Sequence, residues 1–397
     1  MPTVASSDPH DPWATLRLAA LLLAGLYLPY YALTLAAGQG IWRDGTGLVV
    51  GRDFLNLWIV GRAAWGDDPA RLYDLAAYAD TVAALVGPGY PGQQWSYPPT
   101  TLLVGAPFGL LPYGVALALW TLIGTGALAA ALRLWTRDAR LIVALLLCPA
   151  AIFGMMSGQF AALAAAIILA VLRWRESRPW IAGALLGLLT VKPQLGLLFP
   201  ILLIATGNWR AILAAGAVTL GLAGLTAVLW GADIWRVYLE QGIANQSLIL
   251  SDPDHLAGPF MPTLFMNLRV AGVASDAAGA AQGALSLIAA ALVWRRFRQR
   301  PDSRDIGAHA LFLACAIAAT PYMLSYDSLA LAIMAALLLP QERDRGLLLA
   351  VIFLPLIQIV AGSVGIPGPA LLPPLLAWRL RAPAEKHVRL RNNNKVN

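Results

Sequence analysis

Charge is what this 397-residue sequence has least of. Asp, Glu, Lys and Arg make up 12% of it, against 59% hydrophobic residues. Soluble domains carry about 25% charged residues. The charges are also clustered: residues 98–132, 141–172, 211–232, 277–294 and 347–378 contain none. Uncharged apolar runs of about 20 residues read as membrane spans, so a soluble globular domain is excluded. Cysteine is scarcer still. Cys148 and Cys315 both sit inside apolar runs, which offers neither a disulfide framework nor a metal-ligand spacing. The first twelve residues, MPTVASSDPHDP, lack a basic n-region. The apolar stretch Leu16–Ala37 is long enough to span, so it reads as an anchor and not as a cleaved signal. No internal repeat is visible, which weighs against an inverted-repeat transporter. The net charge of +7 does not point to nucleic acid, because the basic residues flank the spans.

What is present is an all-α polytopic membrane protein, since lipid-exposed backbone must satisfy its own hydrogen bonds. About twelve spans are expected, near 15–37, 113–135, 141–157, 159–173, 180–191, 194–206, 209–231, 276–297, 306–323, 326–340, 346–363 and 367–380. Several are short, which predicts tilted or broken helices. If 98–112 only dips into the membrane, the clusters Arg133/Arg137/Arg140, Arg173/Arg175/Arg178, Arg295 to Arg304 and the tail from Arg379 share one side. The positive-inside rule makes that side cytoplasmic. A rival counting treats 98–112 as a true span and 180–206 as one span, and it puts Arg133 to Arg178 outside. Residues 1–397 then form a single integral membrane domain. Segments 38–97 and 232–275 are extracytoplasmic loops carrying short interfacial helices, and 382–397 is a polar cytoplasmic tail.

Candidate chemistry gathers in the outer segments. In GRDFLNLW, Asp53 follows the first span, and Asn56 shares its face on a helix. A carboxylate near lipid is costly unless solvated, paired or in use; pairing with Arg52 or Arg62 is the plain alternative. GDDPARLYD, 66–74, reads as a turn, with Asp68 able to cap a following helix. WSYPPTT, 95–101, pre-sets an extended entry into the next apolar run. In SGQF, Gly158 permits a tight turn and Gln159 either caps a helix or points into a cavity. Lys192 is the only charged residue between Arg178 and Arg210, and Pro193 follows it. That describes a broken helix with a cation at the break, suited to an anion, or else a snorkelling lysine. Asn245 and Gln246 lie in ANQSL, formally a glycosylation sequon, with amides equally able to bond a sugar. Tyr322, Tyr326 and Asp327 lie in TPYMLSYDSLA at an outer helix junction. Asp252 and Asp254 have an Asp-x-Asp spacing, but Pro253 between them makes a turn.

Together these stretches resemble glycosyltransferase family 87, polyprenol-phosphate-mannose-dependent mannosyltransferases of the GT-C superfamily. GRDFLNLW, GDDPARLYD, YPPTTLLVGAPFGLLP, SGQFAALAAAIILA, WIAGALLGLLTVKPQLGLLFPILL, NQSL and TPYMLSYDSLAL occur in the family's order from about 50 to 330. Tyr326 stands where the family's pattern varies. The resemblance implies a GT-C-type fold and transfer of a sugar from a polyprenyl-phosphate donor to a glycolipid or glycan hydroxyl. It implies neither metal nor other cofactor, and a site on the extracytoplasmic face of the plasma (inner) membrane. By position, Asp53 is the implied general base. Lys192 and Arg62 are the expected donor-phosphate partners. Asn56, Gln159, Asn245, Gln246, Tyr322, Tyr326 and Asp327 are the expected pocket. A flippase for lipid-linked sugars remains the alternative from another class, and a diphosphate-dependent polymerase or ligase the alternative within the superfamily.

Overall fold

The protein is described by a computed structural model covering residues 11–37, 41–252, 258–342 and 345–381. Asp254, His255 and the expected tail 382–397 lie outside the described residues. The chain is helical almost throughout. Its strands among the described residues are the two-residue pair β1 (Ala36–Ala37) and β2 (Trp42–Arg43), antiparallel with Ala37 opposite Trp42.

The helices follow the uncharged runs. The first part of the chain forms α1 (Ala14–Thr34), α2 (Arg52–Ala63), α3 (Leu75–Val86), α4 (Thr100–Gly109), α5 (Tyr113–Leu132) and α6 (Ala139–Leu146). Then come α7 (Pro149–Ser157), α8 (Ala161–Trp174), α9 (Pro179–Gly187), α10 (Phe199–Thr206), α11 (Trp209–Trp230), α12 (Asp233–Val237) and α13 (Ile243–Ser251). The last part forms α14 (Leu264–Val270), α15 (Ser275–Phe297), α16 (Ile306–Ala319), α17 (Leu329–Leu338), α18 (Gly346–Ile352), α19 (Leu354–Ser363) and α20 (Leu372–Arg379).

Every one of the twelve expected spans falls on helix, but length separates them. Four helices, α1, α5, α11 and α15, are single rods long and apolar enough to cross a membrane. Two bent pairs qualify when joined: α6 with α7, bent by 50°, and α18 with α19, bent by 74°. Prolines explain both bends. Pro149 and Pro355 sit in the first turns of α7 and α19, where a missing N–H is harmless but continuation from the previous helix is blocked. α4 has 10 residues. It rises about 15 Å, half the hydrocarbon thickness of about 30 Å.

One end of the bundle is fixed by capped helix starts and an arginine knot. Asp138, Asn208 and Asp305 accept hydrogen bonds from the first turns of α6, α11 and α16. Arg175, fully buried, donates to the Pro301 carbonyl at 2.7 Å and to Leu172 at 2.9 Å, and contacts His309. Arg173 donates to Ser303 at 3.4 Å. The rival counting requires Arg173 to Arg178 and Arg295 to Arg304 at opposite ends. They touch, so that counting fails.

The core has a main cluster centred on α17, all of whose residues are buried, and a second cluster around α2, α4 and α5. The apolar side chains of α2 pack into the protein. Phe54, Leu55, Leu57, Trp58, Ile59 and Val60 are all buried in protein. α2 crosses α4 at glycines: a Cβ at Gly61 would stand 2.1 Å from the Gly105 carbonyl oxygen, and one at Gly109 would stand 2.1 Å from the Gly61 carbonyl carbon.

Candidate active site

At the opposite end from the arginine knot, the start of α2 borders a cavity of about 300 Å³. Local geometry aims it. Gly51 has a left-handed φ of 71°, which favours glycine, and its N–H donates to the Met156 carbonyl at 3.1 Å. Tyr113 donates to the Val50 and Gly51 carbonyls at 2.7 and 2.9 Å. Gly158 has φ 70° and packs so closely that an added Cβ would lie 2.5 Å from that of Phe54. Its carbonyl accepts from the Trp120 indole at 2.9 Å. The tight turn expected of SGQF therefore presses α7 against α2.

This clamp delivers Asp53 to the cavity wall. Its Oδ2 accepts from the Tyr326 hydroxyl at 3.0 Å, and its Oδ1 lies 3.7 Å from Nε of Arg52. Asn56 lines the same cavity one turn on, its side-chain oxygen accepting from the buried Tyr78 hydroxyl. Gln159 also lines it, donating to the Tyr97 hydroxyl at 3.3 Å. Tyr322 and Tyr326 complete one wall. Burial pushes the Tyr97 hydroxyl up from its ordinary pKa, so it stays neutral at neutral pH.

The remaining expected residues are placed differently. Lys192 stands at the predicted break, between 3-10 turns Leu188–Val191 and Pro193–Gly196. Its ammonium, however, is spent: Nζ lies 2.8 Å from Asp327 Oδ1, and both side chains are 2% exposed. It also sits 5.2 Å from the Tyr326 ring centre. Asp327 itself accepts from Leu324 N–H at 3.4 Å. The pair therefore backs Tyr326 from behind. Arg62 lies over Trp58 at 4.9 Å and lines a separate cavity with Arg71, Asp68 and Asp80. Asn245 is buried and donates to the Tyr73 and Trp95 carbonyls at 2.9 and 3.1 Å. Gln246 accepts from Ser96 at 2.9 Å. These amides stitch segment 232–275 to segment 38–97, the buried Asn245 leaving no room for a glycan. Asp68 caps nothing; Asp74 caps α3 by accepting from Ala77 N–H.

Several lining residues carried no sequence signal. Asp44, Gln94 and Ser96 add polar groups, and Phe153, Met156, Ile249 and Ile359 make an apolar side. Among the described residues, Arg52 is the one arginine or lysine lining the cavity; on sequence it stood only as a partner for Asp53. Among the described residues, no three His, Cys, Asp or Glu side chains converge as a metal site. The arrangement can accept a proton at Asp53, hydrogen-bond hydroxyl groups along the polar side, and seat an acyl or prenyl chain along the other.

Comparison with known proteins adds lineage. The family model of glycosyltransferase family 87 matches residues 95–324. An alpha-(1->3)-arabinofuranosyltransferase of Mycobacterium tuberculosis is 34% identical over 32% of this chain and 33% of its own. A polyprenol-phosphate-mannose-dependent alpha-(1-2)-phosphatidylinositol pentamannoside mannosyltransferase of Mycolicibacterium smegmatis is 28% identical over 53% of this chain and 49% of its own. The chain thus covers less than half the length of these curated relatives. No solved structure matches it.

Proposed function

We propose a catalytic role from one premise: this chain belongs to glycosyltransferase family 87. It is a membrane glycosyltransferase. In the finer reading, it moves a sugar from a polyprenyl-phosphate donor to a hydroxyl of a glycolipid or glycan. Mannose is the sugar to test first, because the M. smegmatis relative is named for a polyprenol-phosphate-mannose donor. The M. tuberculosis relative transfers arabinofuranose by its name, which makes that sugar the second.

The observation that carries the mechanism is the Asp53 carboxylate, held at the cavity wall with Oδ2 bonded to Tyr326 at 3.0 Å. With one oxygen occupied by a donor, the other faces an incoming hydroxyl. The acceptor oxygen forms a bond to the anomeric carbon as its proton passes to Asp53. The bond from that carbon to the phosphate oxygen breaks, and its electron pair leaves with polyprenyl phosphate. A single in-line displacement inverts the configuration. A general base in this role is worth about 10²–10⁴-fold. The apolar side of the cavity, with Phe153, Met156 and Ile359, suits the prenyl chain. By the positive-inside rule the arginine-knot end is cytoplasmic, which puts Asp53 on the extracytoplasmic side.

The test is product analysis. Purified protein is incubated with polyprenyl-phosphoryl-mannose and a mannoside acceptor, and the products are read by mass spectrometry. The reading expects polyprenyl monophosphate and an acceptor heavier by one hexose. Release of a diphosphate from a diphosphate donor alone, or lipid moved across vesicles without bond cleavage, refutes it in favour of the ligase or the flippase.

A further inference from the structure

The two basic residues that the sequence offers for the donor phosphate do not present free charge to the cavity. Lys192 is neutralised by Asp327 at 2.8 Å behind the wall, with 2% of its side chain exposed. Arg62 lies on Trp58 and borders a different cavity. Yet the leaving group gains negative charge as the sugar departs, and an uncompensated phosphate in a half-apolar cavity is strongly disfavoured.

We infer that Arg52 takes the phosphate group of the lipid-linked donor. This rests on the donor reading above. Arg52 lines the cavity with 24% of its side chain exposed. Its one ion pair among the described residues is the loose 3.7 Å approach of Nε to Asp53. The Nη groups carry no hydrogen bond among the described residues, which leaves the face of the guanidinium that binds phosphate bidentately. A second observation gives the direction. The apolar residues Phe153, Met156 and Ile359 border the same cavity, so a phosphate at Arg52 can carry its prenyl chain along them.

The placement also couples the two partners of the reaction. Without donor, Arg52 leans on Asp53. A phosphate draws the guanidinium away, because two N–H bonds to a phosphate outweigh one loose approach to a carboxylate. Asp53 Oδ1 is then free to accept the proton of the acceptor hydroxyl. As the bond between the anomeric carbon and the phosphate oxygen breaks, the electron pair stays on the phosphate, and Arg52 balances the added charge. Donor binding thus prepares the base, and acceptor follows donor.

The experiment measures binding of farnesyl phosphate to the full-length protein in detergent, by tryptophan fluorescence or thermal shift. Wild type, R52Q, R52K, R62Q and the K192M/D327L pair are compared, each confirmed folded by size exclusion. R52Q is expected to weaken binding about tenfold to a hundredfold, as loss of a charge-assisted hydrogen bond implies. R52K retains part of the affinity and stands in should R52Q not fold. R62Q and the K192M/D327L pair bind as wild type does. Wild-type affinity in R52Q, or loss confined to the Lys192 pair or to R62Q, overturns the assignment and leaves the donor reading intact. A wild-type protein that binds no prenyl phosphate overturns both.

Discussion

Replacing Lys192 by Met is expected to damage the protein before it damages catalysis. Lys192 and Asp327 are each 2% exposed and 2.8 Å apart, and Asp327 makes one further bond, to Leu324 N–H at 3.4 Å. Removing the ammonium leaves an almost fully buried carboxylate without its partner. Breaking such a buried pair by deleting one partner costs about 3–5 kcal/mol, while replacing both partners with apolar groups is often neutral. K192M and D327L should therefore each unfold well below wild type, and K192M/D327L should recover most of the loss. The assay is thermal unfolding in mild detergent, followed by the fraction that elutes monodisperse on size exclusion. Independent sites add to within about 0.3–0.5 kcal/mol; here the double-mutant cycle should depart from additivity by far more. A K192M protein as stable as wild type, or a double variant no better than the sum of its parts, would show that Lys192 carries its charge elsewhere. The role given to Tyr326, which the pair supports from behind at 5.2 Å, would then lose its basis.

Two further perturbations separate chemistry from packing. Y326F removes the hydroxyl that bonds Asp53 at 3.0 Å. Hydrogen bonds to charged groups are worth about 1.5–3 kcal/mol, so turnover should fall about tenfold to a hundredfold with farnesyl phosphate binding unchanged; loss of binding with unaltered turnover contradicts the assigned positioning. G61A places a methyl group 2.1 Å from the Gly105 carbonyl oxygen. The α2–α4 crossing must then open at about 1–3 kcal/mol or more, lowering the unfolding midpoint, and an unchanged midpoint refutes that close approach.

Much of the architecture was legible because charge and proline act locally. Uncharged runs gave helix positions and Lys192-Pro193 gave the break, while 141–157 and 346–363 read as single spans and the bends at Pro149 and Pro355 came only with the structure. The number of crossings was not legible, because the apolar character of α8 or α16 says nothing of how deep a 14-residue helix reaches. Asp53 and Asn56 stood out because an acid and an amide at helical spacing are rare in apolar surroundings. Tyr326 meets Asp53 across 273 positions of chain, so nothing local reports that contact. The same holds for Lys192 and Asp327: each looked like an unpaired charge available to a ligand, and each is the other's partner. Asn245 and Gln246 looked like sugar contacts for a similar reason. An amide does not announce whether it will bond a ligand or, as here, the carbonyls of Tyr73 and Trp95. Arg52 was hidden by its neighbour, since i and i+1 residues read as a local pair.

The central claim is that Asp53 takes the acceptor proton. It is tested most directly by single-turnover transfer from polyprenyl-phosphoryl-mannose in wild type and D53N, with farnesyl phosphate binding measured alongside. The amide keeps size and hydrogen bonding but cannot accept the proton. The account predicts transfer slower by about 10²–10⁴-fold with the prenyl phosphate still bound. Transfer by D53N at the wild-type rate would contradict it.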